Sequence, residues 1–342
     1  MQKQYLPRIK ISNGKTFNNS PHLVILGAGA SIACMKNTAN GKKMPSMNEL
    51  NDLAEVQDIF KKHSVKIKGN ESFEDFFSRI HNEEYGDLKK ELEQCIWDYF
   101  SDIEIDDKPN LYDKLILSLR GKDYIATFNW DPLLILSYIR HKKIGENKLP
   151  KLLFLHGNVG EGICYDCKIL CNFHNKICHR CHKELSKSKL LYPIGKKDYN
   201  SDPVIKNNWN ILRDVLSRAY IITIFGYSAP VSDVEAKEIL LDNYKKSKHL
   251  ELSEIEIINN SDRKKIEETW SDMFFSHHYC IFDKLSDSFI LKHPRRSCDS
   301  HASACLQCDP VEEHPFPDFD DFDDIYSFLD PLISEEENEE LE

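Results

Sequence analysis

The chain has 342 residues, with 45 Lys and Arg against 56 Asp and Glu and a formal net charge of −11. Its composition, 41% hydrophobic and 11% aromatic, is that of a globular protein and excludes a low-complexity or largely disordered chain. No apolar run approaches the roughly 18 residues needed to cross a bilayer, so we expect no membrane span.

The negative charge is concentrated at the C-terminal end. From Asp309 to Glu342 there are 15 acidic residues and no Lys or Arg, which leaves 41 acidic and 45 basic residues over residues 1–308. The body therefore carries a net charge of about +4. This is a weak field, and nucleic-acid binding is disfavoured despite lysines near one cysteine cluster.

Short apolar, β-branched runs recur along the chain, and most are followed by a turn and then a helical pattern. This alternation predicts an α/β fold with a Rossmann-like, doubly wound, mainly parallel sheet. The predicted strands are residues 23–26, 124–128, 152–155, 220–225 and 255–258.

We divide the chain into an N-terminal extension (1–21), a body (22–292) and a C-terminal segment (293–342). Within the body, residues 47–120 read as a charge-rich helical insertion in which Ser72 and Asp75 mark a helix start, and residues 160–190 as a small cysteine-rich module.

After residue 293 hydrophobic periodicity is lost, and we expect a solvated, disordered acidic tail. The alternative is that its aromatic side chains dock on the body or on a partner and restrain the protein. These aromatic residues are Phe316, Phe319, Phe322, Tyr326 and Phe328.

A glycine loop, Gly27-Ala28-Gly29-Ala30-Ser31, directly follows the first predicted strand. Glycine lets a ligand approach the backbone, and the N-terminus of a following helix attracts a pyrophosphate. Glycine also serves tight strand-to-helix packing, but the pattern favours nucleotide binding.

Small or polar residues follow each of the other four predicted strands. Each has a structural alternative: a helix cap for Asn129 or Asp131, and a hydrogen-bonded structural role for His156. At the carboxyl ends of parallel strands, however, such residues together predict a ligand site. They are Thr127, Asn129 and Asp131, then His156, then Gly226 and Ser228 with Asp233, and finally Asn259.

Most of the 11 cysteines cluster in two short windows. In the first, two Cys-x-x-Cys pairs predict a structural Zn²⁺ site, with free thiols or a site that recruits other residues as alternatives. Clustered cysteines without a signal peptide indicate a reducing compartment, so we expect a cytoplasmic protein. The paired cysteines are Cys164, Cys167, Cys178 and Cys181, and the other residues are Cys171, His174, His179 and His182.

The second window contains Cys298, His301, Cys305 and Cys308. Its spacer is short for a folded zinc module, so free cysteines are favoured over a second metal site.

In this order, the motifs resemble the sirtuin-like NAD-consuming superfamily. The Thr-Phe-Asn-Trp-Asp form at 127–131 and the Gly-Tyr-Ser form at 226–228 look more like its bacterial NAD-hydrolase branch, which acts in antiphage defence, than its protein deacylases. The resemblance runs from about residue 23 to residue 259 and leaves out the helical insertion and the C-terminal segment.

The resemblance implies a role for each motif. NAD would be the substrate, with its pyrophosphate in the loop of Gly27, Ala28, Gly29, Ala30 and Ser31. Its adenosine half would lie near Gly226, Ser228 and Asn259. The nicotinamide ribose would lie among Thr127, Asn129 and Asp131, with His156 as general base. A structural Zn²⁺ would be bound by Cys164, Cys167, Cys178 and Cys181.

Two segments depart from the deacylase pattern. Residues 42–47 read Lys-Lys-Met-Pro-Ser-Met where deacylases have Gly-Ile-Pro-Asp-Phe-Arg, and residues 192–196 read Tyr-Pro-Ile-Gly-Lys where deacylases have a peptide-pairing Phe-Gly-Glu strand. The sequence therefore favours an NAD hydrolase that depletes NAD, with a homo-oligomer or a defence-system partner. A deacylase, an ADP-ribosyltransferase and a non-catalytic sensor of NAD or ADP-ribose are the alternatives.

Overall fold

A computed structural model describes residues 19–35, 38–69, 71–82, 86–167, 169–172, 176–193, 197–230, 233–274 and 276–340. Almost all of the predicted N-terminal extension and the candidate ligand His174 lie outside these ranges. Within them, no helix combines the length and the apolar character needed to cross a bilayer.

Nine strands form two sheets in the described part of the chain. They are β1 (His22–Leu26), β2 (Tyr124–Thr127), β3 (Lys151–Phe154), β4 (Glu161–Cys164), β5 (Ile169–Asn172), β6 (Ser186–Lys187), β7 (Ile221–Phe225), β8 (Glu254–Ile258) and β9 (Tyr279–Phe282). The six-stranded sheet has the order β3-β2-β1-β7-β8-β9 with every neighbouring pair parallel. In order of appearance this is 3-2-1-4-5-6, the order of a dinucleotide-binding sheet, and it confirms the predicted fold class.

All five predicted strands lie in this sheet, and β9 is an additional edge strand. It reads Tyr-Cys-Ile-Phe, an apolar run as short as that of β2, and its four residues are each half-buried, as suits an edge strand. The smaller sheet has the order β5-β4-β6 and is antiparallel.

Twelve α-helices occur among the described residues. They are α1 (Ala28–Cys34), α2 (Ala54–Lys62), α3 (Phe73–Asn82), α4 (Gly86–Ser101), α5 (Leu111–Leu117), α6 (Leu133–Arg140), α7 (Pro203–Leu216), α8 (Val234–Tyr244), α9 (Arg263–Trp270), α10 (Phe289–Lys292), α11 (Ser297–Gln307) and α12 (Phe322–Glu340). Several begin where the sequence places a cap. The Ser72 hydroxyl accepts a hydrogen bond from the Asp75 backbone N–H (3.1 Å), and Asp202 caps α7 ahead of Pro203.

The main sheet is buried on both faces. Alternate residues of β1 point to opposite sides, so Val24 and Leu26 join one apolar cluster while Leu23 and Ile25 join another. The first cluster contains side chains from α2 to α6, and the second contains those from α7 to α9, including Trp209 and Trp270. Helices on both faces make the fold doubly wound.

The prediction of a disordered acidic tail is wrong. Residues 322–340 form α12, and its apolar side chains enter the same core cluster as Val24. The aromatic residues dock on the body: Phe316 and Phe328 are buried, and Tyr326 Oη lies 2.9 Å from His141 Nδ1. Buried in α12 or just before it are Phe316, Ile325, Phe328, Leu329, Leu332 and Ile333.

Acidic residues of the tail (309–342) form salt bridges with basic residues that lie earlier in the chain. The Arg295 side chain is fully buried and donates to both carboxylate oxygens of Glu336, at 2.5 and 2.7 Å. Further pairs are Lys114–Asp318, Lys148–Glu337, Lys292–Glu313 and Arg296–Glu335. The acidic tail and the slightly basic body are therefore complementary surfaces of one folded unit.

Candidate functional site

A cavity of about 550 Å³ opens at the carboxyl ends of the strands of the main sheet. Its volume and its mixture of apolar and polar walls are typical of small-molecule sites. It lies where the strand order reverses, between β1 and β7, which is where such sheets bind ligands. The predicted site residues that line it are Gly27, Ala28, Gly29, Ser31, Asn129, Asp131, His156, Gly226, Ser228 and Asn259.

A larger but more open depression of about 660 Å³, beside β3 and α7, contains none of the predicted site residues. We therefore take the cavity at the carboxyl ends as the candidate site.

Two predicted site residues, Thr127 and Ala30, are absent from the cavity lining. Both are buried, and the Thr127 hydroxyl accepts a hydrogen bond from the backbone N–H of Asn129 (3.0 Å). Thr127 thus shapes the turn that carries Asn129, because its side chain is used within the protein.

The glycines after β1 and β7 are required by close packing of two loops. A Cβ on Gly226 would lie 2.2 Å from the backbone nitrogen of Ala30, and its φ of +64° also favours glycine. A Cβ on Gly27 would lie 2.6 Å from the carbonyl oxygen of Gly226. Glycine is therefore required at both positions for the two loops to pack, and it also keeps this part of the cavity wall free of side chains.

Asn129 is held rigidly at the cavity wall. Its amide nitrogen donates to the Gly27 carbonyl oxygen and to the Ser31 hydroxyl, both at 2.9 Å. The Ser31 hydroxyl donates in turn to Asp131 Oδ2 (2.7 Å). The loops after β1 and β2 are joined by these bonds, so the orientation of the Asn129 amide is fixed before any ligand binds.

Asp131 is buried behind Asn129, with both carboxylate oxygens in use. Oδ2 accepts from Ser31, and Oδ1 accepts from the backbone N–H of Leu133 (3.1 Å). Burial raises the pKa of Asp131 to about 6. It therefore carries a negative charge at neutral pH within a cavity wall of low dielectric.

His156 follows β3 and lines the cavity at its buried end, with 5% of its surface exposed. Its Nε2 atom is buried and has no hydrogen-bond partner among the described residues. The ring contacts Phe128 edge-on (4.9 Å between centroids) and stacks on Tyr199 (6.0 Å). Burial lowers the pKa of His156 to about 4, so the imidazole is neutral at physiological pH.

Sequence analysis did not predict the cluster of charged residues that lies beside His156. Lys197 and Asp233 form a buried ion pair, and Tyr227 Oη donates to Asp233 (3.1 Å). Glu74 from α3 also lines the cavity, and burial raises its pKa. Sequence analysis noted Asp233, but no local signal marks Lys197 or Glu74, because separate segments bring them to the cavity.

The two segments that depart from the deacylase pattern both reach the cavity. Met44, Pro45, Ser46 and Met47 line it, as does Pro193, whereas residues 194–196 lie outside the described residues.

Four cysteines converge on the small sheet. The sulfur atoms of Cys164, Cys167, Cys178 and Cys181 all lie within 4.8 Å of one another, and those of Cys164 and Cys181 are 3.5 Å apart. Around a tetrahedral Zn²⁺ with Zn–S bonds of about 2.3 Å, neighbouring sulfurs lie about 3.8 Å apart. Backbone N–H groups point at two of these sulfurs, at 3.4 and 3.5 Å. The donor set fits a closed structural zinc site.

The other possible ligands lie beside this cluster. Cys171 Sγ is 3.4 Å from His179 Nδ1, and neither residue belongs to the group of four. His182, which has a positive φ of 58°, is also absent from the group.

The four residues of the second window do not converge, in agreement with the expectation of free cysteines there. Cys298 is buried against Tyr220 and Ala302, while Cys305 and Cys308 are exposed. Among the described residues, Cys298, His301, Cys305 and Cys308 form no common ligand group.

Solved structures of Sir2 enzymes are similar to this chain. A structure on the mechanism and regulation of Sir2 enzymes is 15% identical, with a TM-score of 0.41, and the alignment covers 86% of this chain and 97% of that one. Sir2Tm bound to a propionylated peptide is 16% identical, with a TM-score of 0.36 and coverages of 80% and 92%. Sir2 with a p53 peptide and NAD+ is 16% identical, with a TM-score of 0.36 and coverages of 80% and 93%.

No protein-family model and no curated protein matches the chain. The order and direction of the six strands, rather than this weak similarity, establish the fold class.

Proposed function

We propose that the cavity is the active site of an NAD hydrolase. The reaction consumes NAD and water and releases ADP-ribose, nicotinamide and a proton. The observation that carries this proposal is the pairing, in one cavity, of a neutral His156 whose Nε2 lacks a partner with an Asn129 amide held by Gly27 and Ser31. An unpartnered buried nitrogen costs free energy, and proteins retain such groups where a ligand or substrate completes them.

The shape of the cavity supports the binding of a dinucleotide. The wall formed by Gly27, Gly29 and Gly226 has no side chains, so the pyrophosphate can approach the backbone there. Ser228 and Asn259 lie on the β7 and β8 side of the cavity and suit the adenosine half. Asn129 and His156 lie on the β2 and β3 side and suit the nicotinamide ribose.

The chemistry requires orientation and charge rather than a protein nucleophile. Cleavage of the nicotinamide–ribose bond develops positive charge at C1′, which the buried carboxylate of Asp131 stabilises over a short distance in low dielectric. The neutral imidazole of His156 accepts a proton from the attacking water or from a ribose hydroxyl. Asn129 fixes the position of the ribose hydroxyls, which reduces the entropy lost on reaching the transition state.

We also propose that the four-cysteine cluster binds a structural Zn²⁺. The four thiolates would complete the metal's coordination, so no position is left for a substrate. The ion would hold the loops after β4 and β5 together, and this chain's own role there is to supply the ligands and their N–H···S contacts.

The biological role that we propose is depletion of NAD in the bacterial cytoplasm as a defence effector, alone as an oligomer or with a partner protein. This role rests on the resemblance of the motifs at 127–131 and 226–228. It accounts for a sequence that reads Tyr-Pro-Ile-Gly-Lys at residues 192–196 in place of the deacylases' Phe-Gly-Glu motif.

The decisive experiment measures NAD in cells that express the full chain, and then nicotinamide and ADP-ribose made by the purified protein. We expect NAD to fall with the natural sequence, and His156→Ala or Asn129→Ala to reduce the rate by about 10²-fold or more. Tyr199→Phe is the matched control, because it keeps the ring stacked on His156 and removes a hydroxyl that does not line the cavity.

Three outcomes would contradict the proposal. Nicotinamide release that requires an acylated peptide would identify a deacylase. NAD binding without turnover in cells or in solution would identify a sensor. Depletion that survives both substitutions would show that the site is assigned wrongly.

A further inference from the structure

Three side chains with metal-ligand chemistry meet at the amino end of the main sheet, away from the cavity. Glu254 begins β8, His278 directly precedes β9, and His301 lies on α11. One ligand atom from each lies within 4.8 Å of the other two. The distance along β8 from Glu254 to Asn259 is about 16 Å, so the cavity and this cluster are separate sites.

The topology explains why these residues meet. Because Ile255 pairs with Tyr279 in the parallel register, the preceding residues Glu254 and His278 lie side by side on the same face of the sheet. That face is covered by α11, where His301 and Cys305 are four residues apart and therefore share one side of the helix.

The cluster is buried and lacks a compensating cation. Glu254 is 6% exposed and His301 is 4% exposed. Among the described residues, no Lys or Arg forms a salt bridge with Glu254, and His278 Nδ1 is 3.8 Å from its Oε2. A carboxyl group beside two imidazoles, with no basic side chain paired to it, is a donor set that a metal ion would complete.

We propose that Glu254, His278 and His301 bind a Zn²⁺ ion, with Cys305 as the fourth ligand. Nitrogen, oxygen and sulfur donors in a tetrahedral set suit zinc better than calcium or magnesium, which require oxygen ligands. The Cys305 sulfur lies 3.8 Å from His301 Nδ1 and 3.6 Å from Nε2 but outside the group of three, so its side chain would have to rotate to bind the ion.

The surroundings orient the ligands for this role. His301 Nε2–H donates to the Leu252 carbonyl oxygen (3.3 Å), which leaves Nδ1 as the unprotonated nitrogen of the neutral ring. Metal-binding histidines characteristically donate their second ring nitrogen to a carbonyl or carboxylate in this way. The ion would join α11 to β8 and β9, and it uses two residues of the second sequence cluster, His301 and Cys305, but not Cys298 or Cys308.

The test is a zinc count on the full chain, saturated with zinc and then dialysed against metal-free buffer. We expect two zinc ions per chain, one for each ligand group. Combined Glu254→Gln and His278→Gln substitution should leave one, at the four cysteines. His277→Ala is the matched control, because His277 is exposed, neighbours His278 and lies outside the group, and it should retain both ions.

One zinc ion in the unmodified protein, or two in the doubly substituted protein, would overturn the proposal. A second measurement does not depend on the folding of a variant. Diethyl pyrocarbonate modification of the unmodified protein, mapped by mass spectrometry, should be slowed by zinc at His278 and not at His277. Equal modification of His278 with zinc and after its removal would also overturn it.

Discussion

Polar side chains at the two ends of the main sheet differ in how their hydrogen bonds are completed. At the carboxyl ends, Asn129, Asp131 and His156 face a cavity, and the Nε2 atom of His156 has no partner among the described residues. At the amino ends, several buried polar groups are bonded to one another. The His22 ring lies 2.7 Å from the hydroxyls of Ser297 and Thr223, and Thr223 donates to Glu256 (2.7 Å).

This difference distinguishes polar groups that bind a ligand from polar groups that hold the fold together. A buried polar group whose bonds are completed within the protein specifies how elements dock, whereas one left incomplete beside a cavity indicates a ligand. The Glu254, His278 and His301 cluster differs from both, because three groups that can bind a metal converge there and, among the described residues, no Lys or Arg forms a salt bridge with Glu254. For that reason we assign it to a metal.

The largest effect on stability is expected from Arg295→Ala at the amino ends of β2 and β3. The Arg295 side chain is buried and donates to the carbonyl oxygens of Leu119 (2.9 Å) and Lys148 (3.1 Å) as well as to Glu336. Its removal leaves the carbonyl oxygens of Leu119 and Lys148 without this donor and leaves Glu336 with a longer contact to Arg120 (3.5 Å), so the free energy of unfolding should fall by about 3–5 kcal/mol in urea denaturation.

The matched control for Arg295 is Arg263→Ala, which breaks an exposed pair with Glu267 on α9. Exposed pairs of this kind contribute about 0–1 kcal/mol. If the two substitutions cost the same, the C-terminal helix is not held as the structure indicates.

A smaller, pH-dependent effect is expected from Glu256→Gln. Glu256 is fully buried, and burial raises its pKa to about 7 from a model-peptide value of 4.5. A raised carboxyl pKa in the folded state means that stability is lost as pH rises from about 4.5 to about 7 and is constant above that range. Glutamine carries no charge, so the variant should be more stable than the natural sequence by about 1–3 kcal/mol at pH 8.

The same comparison at pH 4.5 should give nearly equal stabilities, because Glu256 is then neutral in the folded state and only half ionised in the unfolded state. Thermal melts at the two pH values provide the measurement. A constant difference between variant and natural sequence across this range would show that Glu256 is not desolvated as described.

The smallest effect is expected at the carboxyl ends, from Asp131→Asn. The pKa of Asp131 is raised to about 6 and that of His156 is lowered to about 4, so the natural enzyme should lose activity as pH falls through about 6 while His156 stays neutral. Asparagine should lower NAD cleavage at pH 8 about tenfold, equivalent to about 1.4 kcal/mol, and abolish the acidic limb of the rate profile.

Asp283→Asn is the control for Asp131, because Asp283 lines the same cavity but is exposed. It should keep the acidic limb. A rate profile of the natural sequence that is flat between pH 5 and pH 7 would rule out a catalytic charge on Asp131.

The main sheet was predictable because its central strands are continuous apolar runs, and parallel strands buried on both faces require such runs. The carboxyl-end residues could be predicted for the same reason, since each follows a strand directly. Contacts between distant segments could not. Lys197 and Glu74 are 123 positions apart in the chain, and only the folded structure brings both to the cavity.

The C-terminal helix was missed although its sequence carries a signal. Ile325, Phe328, Leu329, Leu332 and Ile333 recur at helical spacing. The expectation that periodicity is lost after residue 293 is wrong here, because the 15 acidic residues from Asp309 to Glu342 obscure this spacing. Its acidic residues are accommodated because they meet arginines and lysines of the body, which no local pattern reveals.

The position of α12 has a consequence for the order in which the protein matures. The largest core cluster contains residues from both β1 and α12, so it cannot close while α12 is still inside the ribosome. The core beneath the cavity can therefore reach its final rigidity only after α12 has been synthesised. Chains released before α12 is made should therefore have an incompletely formed site.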